Sequence, residues 1–347
     1  MDKILTIIIP TYNMERYLHR CLSSLLIGGE DQGAMEVLVV NDGSKDGSLG
    51  IAREYEAKYP ETFRVIDKEN GNYGSCINRG LAEATGKYVK VLDADDSYNT
   101  EHLHTLVSAL RDQDADMFLT DYVIVNEDDV QTGSFARHIP ERRIMDAEEL
   151  FAMTVGTIIR MHEITYRTEN LRRMGYRQTE GISYTDMEWT FAPLSTVKSV
   201  YCLHIPVYRY LVGRAGQTVD PKVAARSQSQ AEKTMFVQVE TFSRMNDLAP
   251  NLRRHLLGHI TLNMKLTYRA YLVTAYGQLE RAGVLALDKR LKDACPELYD
   301  IMDSQYVHPR IPLRFIRGWR RNGCRETWTL RVYRSVVFPI LRKLNIG

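Results

Sequence analysis

A chain of 347 residues can hold one large domain with additions, or two domains. With 44% hydrophobic and 26% charged residues it has an ordinary globular composition, which argues against a disordered chain. The net charge of +1 excludes a uniformly basic nucleic-acid binder, but it hides an asymmetry: from Pro309 onward ten Lys/Arg face the single acid Glu326, behind a mildly acidic body. Five scattered cysteines without CxxC spacing argue against a disulfide scaffold or a zinc site and fit a reducing compartment. The apolar run Ile4–Pro10 is too short for a signal-peptide core, and no run of about 18 apolar residues predicts a spanning helix. A cytoplasmic location is expected.

In chain order, strand and helix signals alternate through the first 120 residues. "ILTIIIP" (4–10) predicts a strand, followed by a helical pattern from Met14 to Leu26. "EVLVVND" (36–42) precedes a helix from about Asp46 to Tyr59, "RVIDKE" (64–69) one from about Tyr73 to Ala84, and "KYVKVLD" (87–93) one from about Thr100 to Arg111. Strands apolar on both faces, alternating with helices, predict βαβ units and a mostly parallel sheet. Residues 116–144 suggest strands and hairpins, 146–193 short helices, 196–212 a strand, and 222–302 helices, before "HPRIP" introduces the basic tail.

Ligands of open α/β sheets bind at the carboxyl ends of the strands. All four strand ends are polar here: Pro10-Thr11-Tyr12-Asn13, Asn41-Asp42-Gly43-Ser44, Glu69-Asn70-Gly71-Asn72-Tyr73-Gly74 and Asp93-Ala94-Asp95-Asp96. Any one of these loops alone fits an ordinary turn or helix cap. Asp93 and Asp95 stand out, because residues i and i+2 of an extended segment point the same way and two adjacent carboxylates repel without a cation. Hard divalent ions take such oxygen ligands and bridge them to substrate phosphates. Asp96 is expected either to join them or to cap the following helix. No Walker A sequence or GxGxxG turn offers another phosphate grip.

The stretches "IIIPTYNMERYLHRCLSSLL", "EVLVVNDGSKDGS" and "NGNYGSCINRGLAEATGKYVKVLDADD" together resemble family 2 glycosyltransferases of the GT-A fold, over roughly residues 3–215. The resemblance implies an α/β, Rossmann-related, mostly parallel sheet with flanking helices and an inverting transfer from a nucleotide-diphosphate sugar. It places Pro10, Thr11, Tyr12 and Asn13 around the nucleoside, Asp42 on a uracil-type base, Asn78 and Ala94 in the donor pocket, Asp93 at the ribose or sugar, and Asp95 on Mn²⁺ or Mg²⁺ bound to a UDP-sugar. Where relatives often read "ARN", this chain has Cys76-Ile77-Asn78, so Arg79 or Lys68 would have to compensate.

An inverting displacement also needs a general base. Tyr184-Thr185-Asp186 resembles the family's aromatic-Glu-Asp segment with Thr185 in place of Glu, which makes Asp186 the candidate base; Glu188 and Glu180 are alternatives, and a plain helix cap is the structural reading. Arg214, Gln217 and Thr218 are expected on a loop near the diphosphate, and His204 is either a metal ligand or a structural strand residue. The expected organisation is a transferase domain over 1–220 (nucleotide-sugar half 1–120, acceptor half 121–220), a helical extension over 221–305, and a basic amphipathic tail over 306–347. The tail suits the inner face of the plasma membrane better than nucleic acid; packing on the protein or on a partner subunit, as in a homo-oligomer, is the alternative. The expected partners are a nucleotide-sugar donor and a saccharide or lipid-linked saccharide acceptor of capsule or exopolysaccharide assembly. A nucleotidyltransferase would instead release pyrophosphate, and an inactive sugar-nucleotide-binding scaffold would not need both Asp95 and Asp186.

Overall fold

The aliphatic runs become the centre of one sheet. A computed structural model describes residues 2–214, 217, 228–277 and 279–344. Its strands are β1 (Leu5–Thr11), β2 (Met35–Asn41), β3 (Phe63–Asp67), β4 (Tyr88–Val91), β5 (Ser97–Tyr98), β6 (Met117–Val125), β7 (Gln131–Phe135), β8 (Ile144–Asp146), β9 (Ile164–Arg167) and β10 (Ser199–Leu211). The order is β3-β2-β1-β4-β9-β6-β10-β5, with β7 on β6 and β8 on β10. The first four strands pair in parallel, as does β6 with β10, whereas β9 enters antiparallel between β4 and β6. The expected α/β sheet is present, with its helices in the expected places.

Two local expectations change. Residues 146–193 contain not only short helices but also β9, which has four residues and no readable period; it exists because Tyr88 pairs with Arg167 and Met117 with Tyr166 across large sequence separations. Asp96 does not cap the helix Thr100–Asp112. Asn99 does, accepting the His102 amide at 3.0 Å. That helix buries Leu103, Leu106, Val107 and Leu110, an i, i+3, i+4, i+7 stripe, against the sheet. Each such side chain contributes about 1.5–3 kcal/mol by leaving water.

By contact density the chain forms two units, residues 1–234 with 249–252, and residues 235–248 with 253–347. The first contains the whole sheet. The second is helical, including Arg281–Ala294, Pro296–Met302, Phe315–Arg321 and Trp328–Val332. Within it Arg320 donates to Asp288 (2.8 Å), Asp303 (2.9 Å), the Tyr299 carbonyl (2.8 Å) and the Tyr268 hydroxyl (3.2 Å), and its guanidinium lies 3.5 Å from the Tyr299 ring centre. Phe315, Ile316 and Trp319 are buried beside it. The first part of the basic tail is therefore packed structure.

One buried charge in the sheet gives a test. Lys90 of β4 is fully buried, and its ammonium donates to the carbonyls of His162 (2.9 Å) and Ile164 (3.1 Å). Burial pulls its pKa down to about 7, with Glu163 opposing the shift. In the unfolded chain it titrates near 10.4. Between these values the unfolded state holds a proton that the folded state lacks, so this group adds stability as pH rises from about 7. The parent's Tm should rise between about pH 7 and 9, and Lys90→Met should flatten that rise, a comparison that thermal unfolding at several pH values makes directly.

Candidate active site

The four polar strand ends converge at one edge of the sheet. Asn13 and the loop after β2 are tied together: the Asn13 amide donates to Ser44 Oγ (3.1 Å), and the Lys45 amide donates to Asn13 Oδ1 (2.8 Å). Asn13 itself is left-handed (φ 54°), a conformation its short polar side chain tolerates. Thr11 is buried at the strand end and Pro10 is partly buried, while Tyr12 is exposed.

Asp42 lies under the loop after β3. It accepts the Gly71 and Asn72 amides, each at 2.9 Å, and the Lys68 ammonium at 2.5 Å. Lys68 also donates to Ser75 Oγ (2.8 Å), so Lys68 is the cation beside Asp42, whereas Arg79 pairs with Glu83. Ile77 is buried in the core of its helix.

Asn78, expected in the donor pocket, bonds the 178–180 segment. Its amide donates to the Gln178 carbonyl (2.9 Å) and to Glu180 (2.8 Å), and its oxygen accepts the Gln178 amide (2.8 Å). It pins the 178–180 segment to the helix Asn72–Glu83. Gly74 permits the same approach: a Cβ there would stand 2.0 Å from the Thr179 carbonyl oxygen. The nucleotide-half motif and the segment leading to Asp186 are thereby packed backbone to backbone.

The acids after β4 lie at the centre. One carboxylate oxygen from each of Asp93, Asp95 and Asp96 lies within 4.8 Å of the others, and Ala94 is buried between them. Each acid has its own protein partner. Asp96 accepts the Tyr208 hydroxyl (2.6 Å) and the Leu211 amide (2.7 Å), fastening the end of β10. Asp93 accepts the Tyr73 hydroxyl (2.9 Å). Asp95 pairs with the Arg214 guanidinium, and its carbonyl accepts Arg20 at 2.6 Å. Burial and then Asp95 push Asp93 up to about 7, with Asp186 adding to the rise. Burial and the two neighbouring acids push Asp96 well above the usual carboxylate range. Three carboxyl groups this close, two of them pushed toward the neutral form by burial and by one another, are an oxygen donor set that a hard divalent cation fits and would ionise.

Asp186 begins the short helix Asp186–Trp189, after left-handed Tyr184 (φ 67°). Burial raises its pKa, opposed by backbone amides and by Arg160. Its charge is among those that raise Asp93 and the hydroxyls of Tyr73 and Tyr210, so it lies within electrostatic reach of them. Glu188 instead accepts the Thr179 amide (2.9 Å), and Glu180 is held by Asn78 and Arg177. Gln217 closes the turn after β10, accepting the Gly213 amide (2.9 Å) and donating to the Leu211 carbonyl (2.7 Å). Thr218 lies outside the described residues. His204 is not at the cluster: its ring nitrogens meet the Ile139 carbonyl (2.7 Å) and Asp121 (3.4 Å), so it is structural.

Tyr73 stands in the polar loop after β3 but has no role there on sequence reasoning, which does not single out Tyr208, Tyr210 and Arg160 near the acids either. Tyr208 and Tyr210 share the i, i+2 spacing of one strand face, which is the available signal. His162 stacks on Tyr210 with ring centres 4.5 Å apart, and burial pulls its pKa down to about 3, so it is a neutral imidazole.

A mixed α/β sheet of mostly parallel central strands with a cluster of three acids at its carboxyl edge defines a GT-A-like fold followed by a helical region. Residues 6–173 match the family model "Glycosyl transferase family 2", and this part of the chain is a family 2 glycosyltransferase domain. Glycosyltransferase GlyA of Streptococcus pneumoniae is 33% identical over 139 residues, covering 40% of this chain and 19% of that protein. The poly(ribitol-phosphate) beta-N-acetylglucosaminyltransferase TarS of Staphylococcus aureus is 25% identical over 300 residues, covering 82% of this chain and 51% of TarS. The chain thus spans about half or less of these relatives. The crystal structure of S. aureus TarS 1-349 in complex with UDP superposes with a TM-score of 0.66 at 20% identity, covering 98% of this chain and 92% of that one. The mannosyltransferase PcManGT of Pyrobaculum calidifontis, in complex with GDP-Man and Mn²⁺, gives 0.53 at 18% identity over 87% and 83%.

The Gly74 contact predicts opposite effects for two alanine substitutions. Gly74→Ala should lower stability by about 1–3 kcal/mol, because the backbone of Thr179 must move. Gly50→Ala, in the helix Ser48–Lys58 with nothing within 4 Å of the new Cβ, should raise stability by about 0.5–1 kcal/mol. Urea unfolding of the two variants beside the parent measures both.

Proposed function

We propose that the chain is an inverting glycosyltransferase, moving a hexosyl or N-acetylhexosaminyl group from a UDP-sugar to a glycan or lipid-linked acceptor of cell-surface polysaccharide. The observation that carries this reading is the gathering of Asp93, Asp95 and Asp96 oxygens within 4.8 Å at the carboxyl edge of the sheet, with Asp186 close enough for its charge to raise Asp93. The family 2 domain and the likeness to TarS in complex with UDP and with UDP-GlcNAc support the donor class. Pro10, Thr11, Tyr12, Asn13 and Asp42 would surround the nucleoside. Asp42 acts there mainly by ordering the 70–72 turn, since its carboxylate already holds two amides and Lys68.

In the displacement, an acceptor hydroxyl oxygen forms the bond to the anomeric carbon while the bond to the diphosphate oxygen breaks and UDP leaves. Asp186 takes the hydroxyl proton, a task for which its raised pKa suits it. A divalent ion, Mn²⁺ or Mg²⁺, held by Asp95 and its neighbours would neutralise the diphosphate as it departs. Asp93, steadied by the Tyr73 hydroxyl, faces the sugar. Arg214, paired with Asp95 and lying 5.6 Å from the Tyr17 ring centre, is placed to exchange that partner for phosphate oxygens, which its planar fork can bind bidentately.

Two substitutions separate the roles. Asp95→Ala should abolish the Mn²⁺-dependent thermal stabilisation by UDP. Asp186→Asn should keep that stabilisation and lower UDP release with acceptor by about 10²–10⁴-fold. Normal turnover by Asp186→Asn would remove the base assignment. A donor panel that includes UDP-GlcNAc and GDP-mannose, scored by nucleotide release, tests the donor class; pyrophosphate release would indicate nucleotidyl transfer instead.

A further inference from the structure

We propose that the last helical segment of the second unit is a docking surface for an anionic lipid bilayer. The inference is independent of the transferase reading. Residues 328–343 run as consecutive helical turns, Trp328–Val332, Tyr333–Val337 and Phe338–Lys343. One side is anchored: Leu330 and Tyr333 are buried, and Arg334 lies 3.5 Å from the ring centre of Tyr276. The same segment exposes Trp328 at 75%, Val336 at 53%, Ile340 at 53% and Leu344 at 61%. Single exposed apolar residues are ordinary on a protein surface. Four within one short segment, repeating every four residues from Val336 to Leu344, form a patch that marks an interaction site.

The charges beside the patch select its partner. Arg321, Arg325, Arg331, Arg342 and Lys343 are exposed, and Glu326, the one acid of this region, is held by Arg331 and Arg334. Exposed aliphatics and an indole interspersed along the sequence with exposed cations match the boundary of an anionic bilayer: aliphatic groups and the indole enter the acyl edge while guanidinium and ammonium groups meet headgroup phosphates. A second copy fits worse, because two such strips face to face would bring like charges together. A nucleic-acid backbone offers nothing to the aliphatic strip. Among the described residues no helix is long and apolar enough to cross a membrane, so the segment lies in the interface.

The full chain supplies its own reporter. Trp189 and Trp319 are buried, so a change in indole emission on binding comes from Trp328. The protein should float with phosphatidylcholine vesicles containing about a third phosphatidylglycerol and not with phosphatidylcholine alone, and its emission should shift to the blue. Trp328→Phe should remove the shift while flotation persists. Ile340→Glu with Leu344→Glu, both exposed and so compatible with folding, should weaken partitioning about tenfold or more, as should Arg342→Gln with Lys343→Gln. An unchanged Tm would confirm that these variants are folded. The proposal is overturned if the parent does not float with the anionic vesicles at low salt, or if the Ile340/Leu344 variant floats equally well. A dimer of the parent that the same variant dissociates, without flotation, would assign the strip to a second copy and also overturn it.

Discussion

Three carboxylates within four residues at the end of a buried strand are the constraint around which the first unit is arranged. Left in a low-dielectric environment, Asp93, Asp95 and Asp96 would repel and resist ionisation. The fold gives each a different partner from a different part of the chain: Tyr73 for Asp93, Arg214 for Asp95, Tyr208 and the Leu211 amide for Asp96. Because these partners lie between twenty and about a hundred and twenty residues away, holding the acids together and closing the sheet are the same event. Asp96 is the clearest case. It reads as a helix cap or a third ligand, yet it is the acceptor that fixes where β10 ends and so where Arg214 stands.

A second constraint joins the loop after β3 to the segment before Asp186. The turn "NGNYG" orders itself under Asp42, and the helix it opens presents Gly74 and Asn78 to the 178–180 segment. The missing Cβ at Gly74 and the three bonds of Asn78 fix the height of that segment, and the segment leads into left-handed Tyr184 and Asp186. A motif that family resemblance reads as a donor contact thus also fixes the segment that leads to Asp186.

The second unit divides its arginines by function. Arg320 is a core residue that gathers Asp288, Asp303, Tyr268 and the Tyr299 carbonyl, and burying it requires every one of those acceptors. Arg321, Arg325 and Arg342 remain at the surface. Composition alone merges these residues into one basic tail, because charge counting does not distinguish a cation with acceptors from one in water.

By itself the sequence determined the βαβ order, the sheet and the place of its ligand edge, because aliphatic runs with polar ends are local patterns and the strand period is read directly. It also singled out Asp93, Asp95 and Asp186 as a set through motif resemblance. Only the tertiary structure decided the insertion of β9, the tyrosines that hold the acids, the positioning role of Asn78, and the placement of His204 away from the cluster on Asp121 and the Ile139 carbonyl. The physical reason is common to all four. Each depends on which distant donor meets which acceptor once the chain is packed, and hydrogen-bond partners across a hundred residues leave no periodic trace in the sequence.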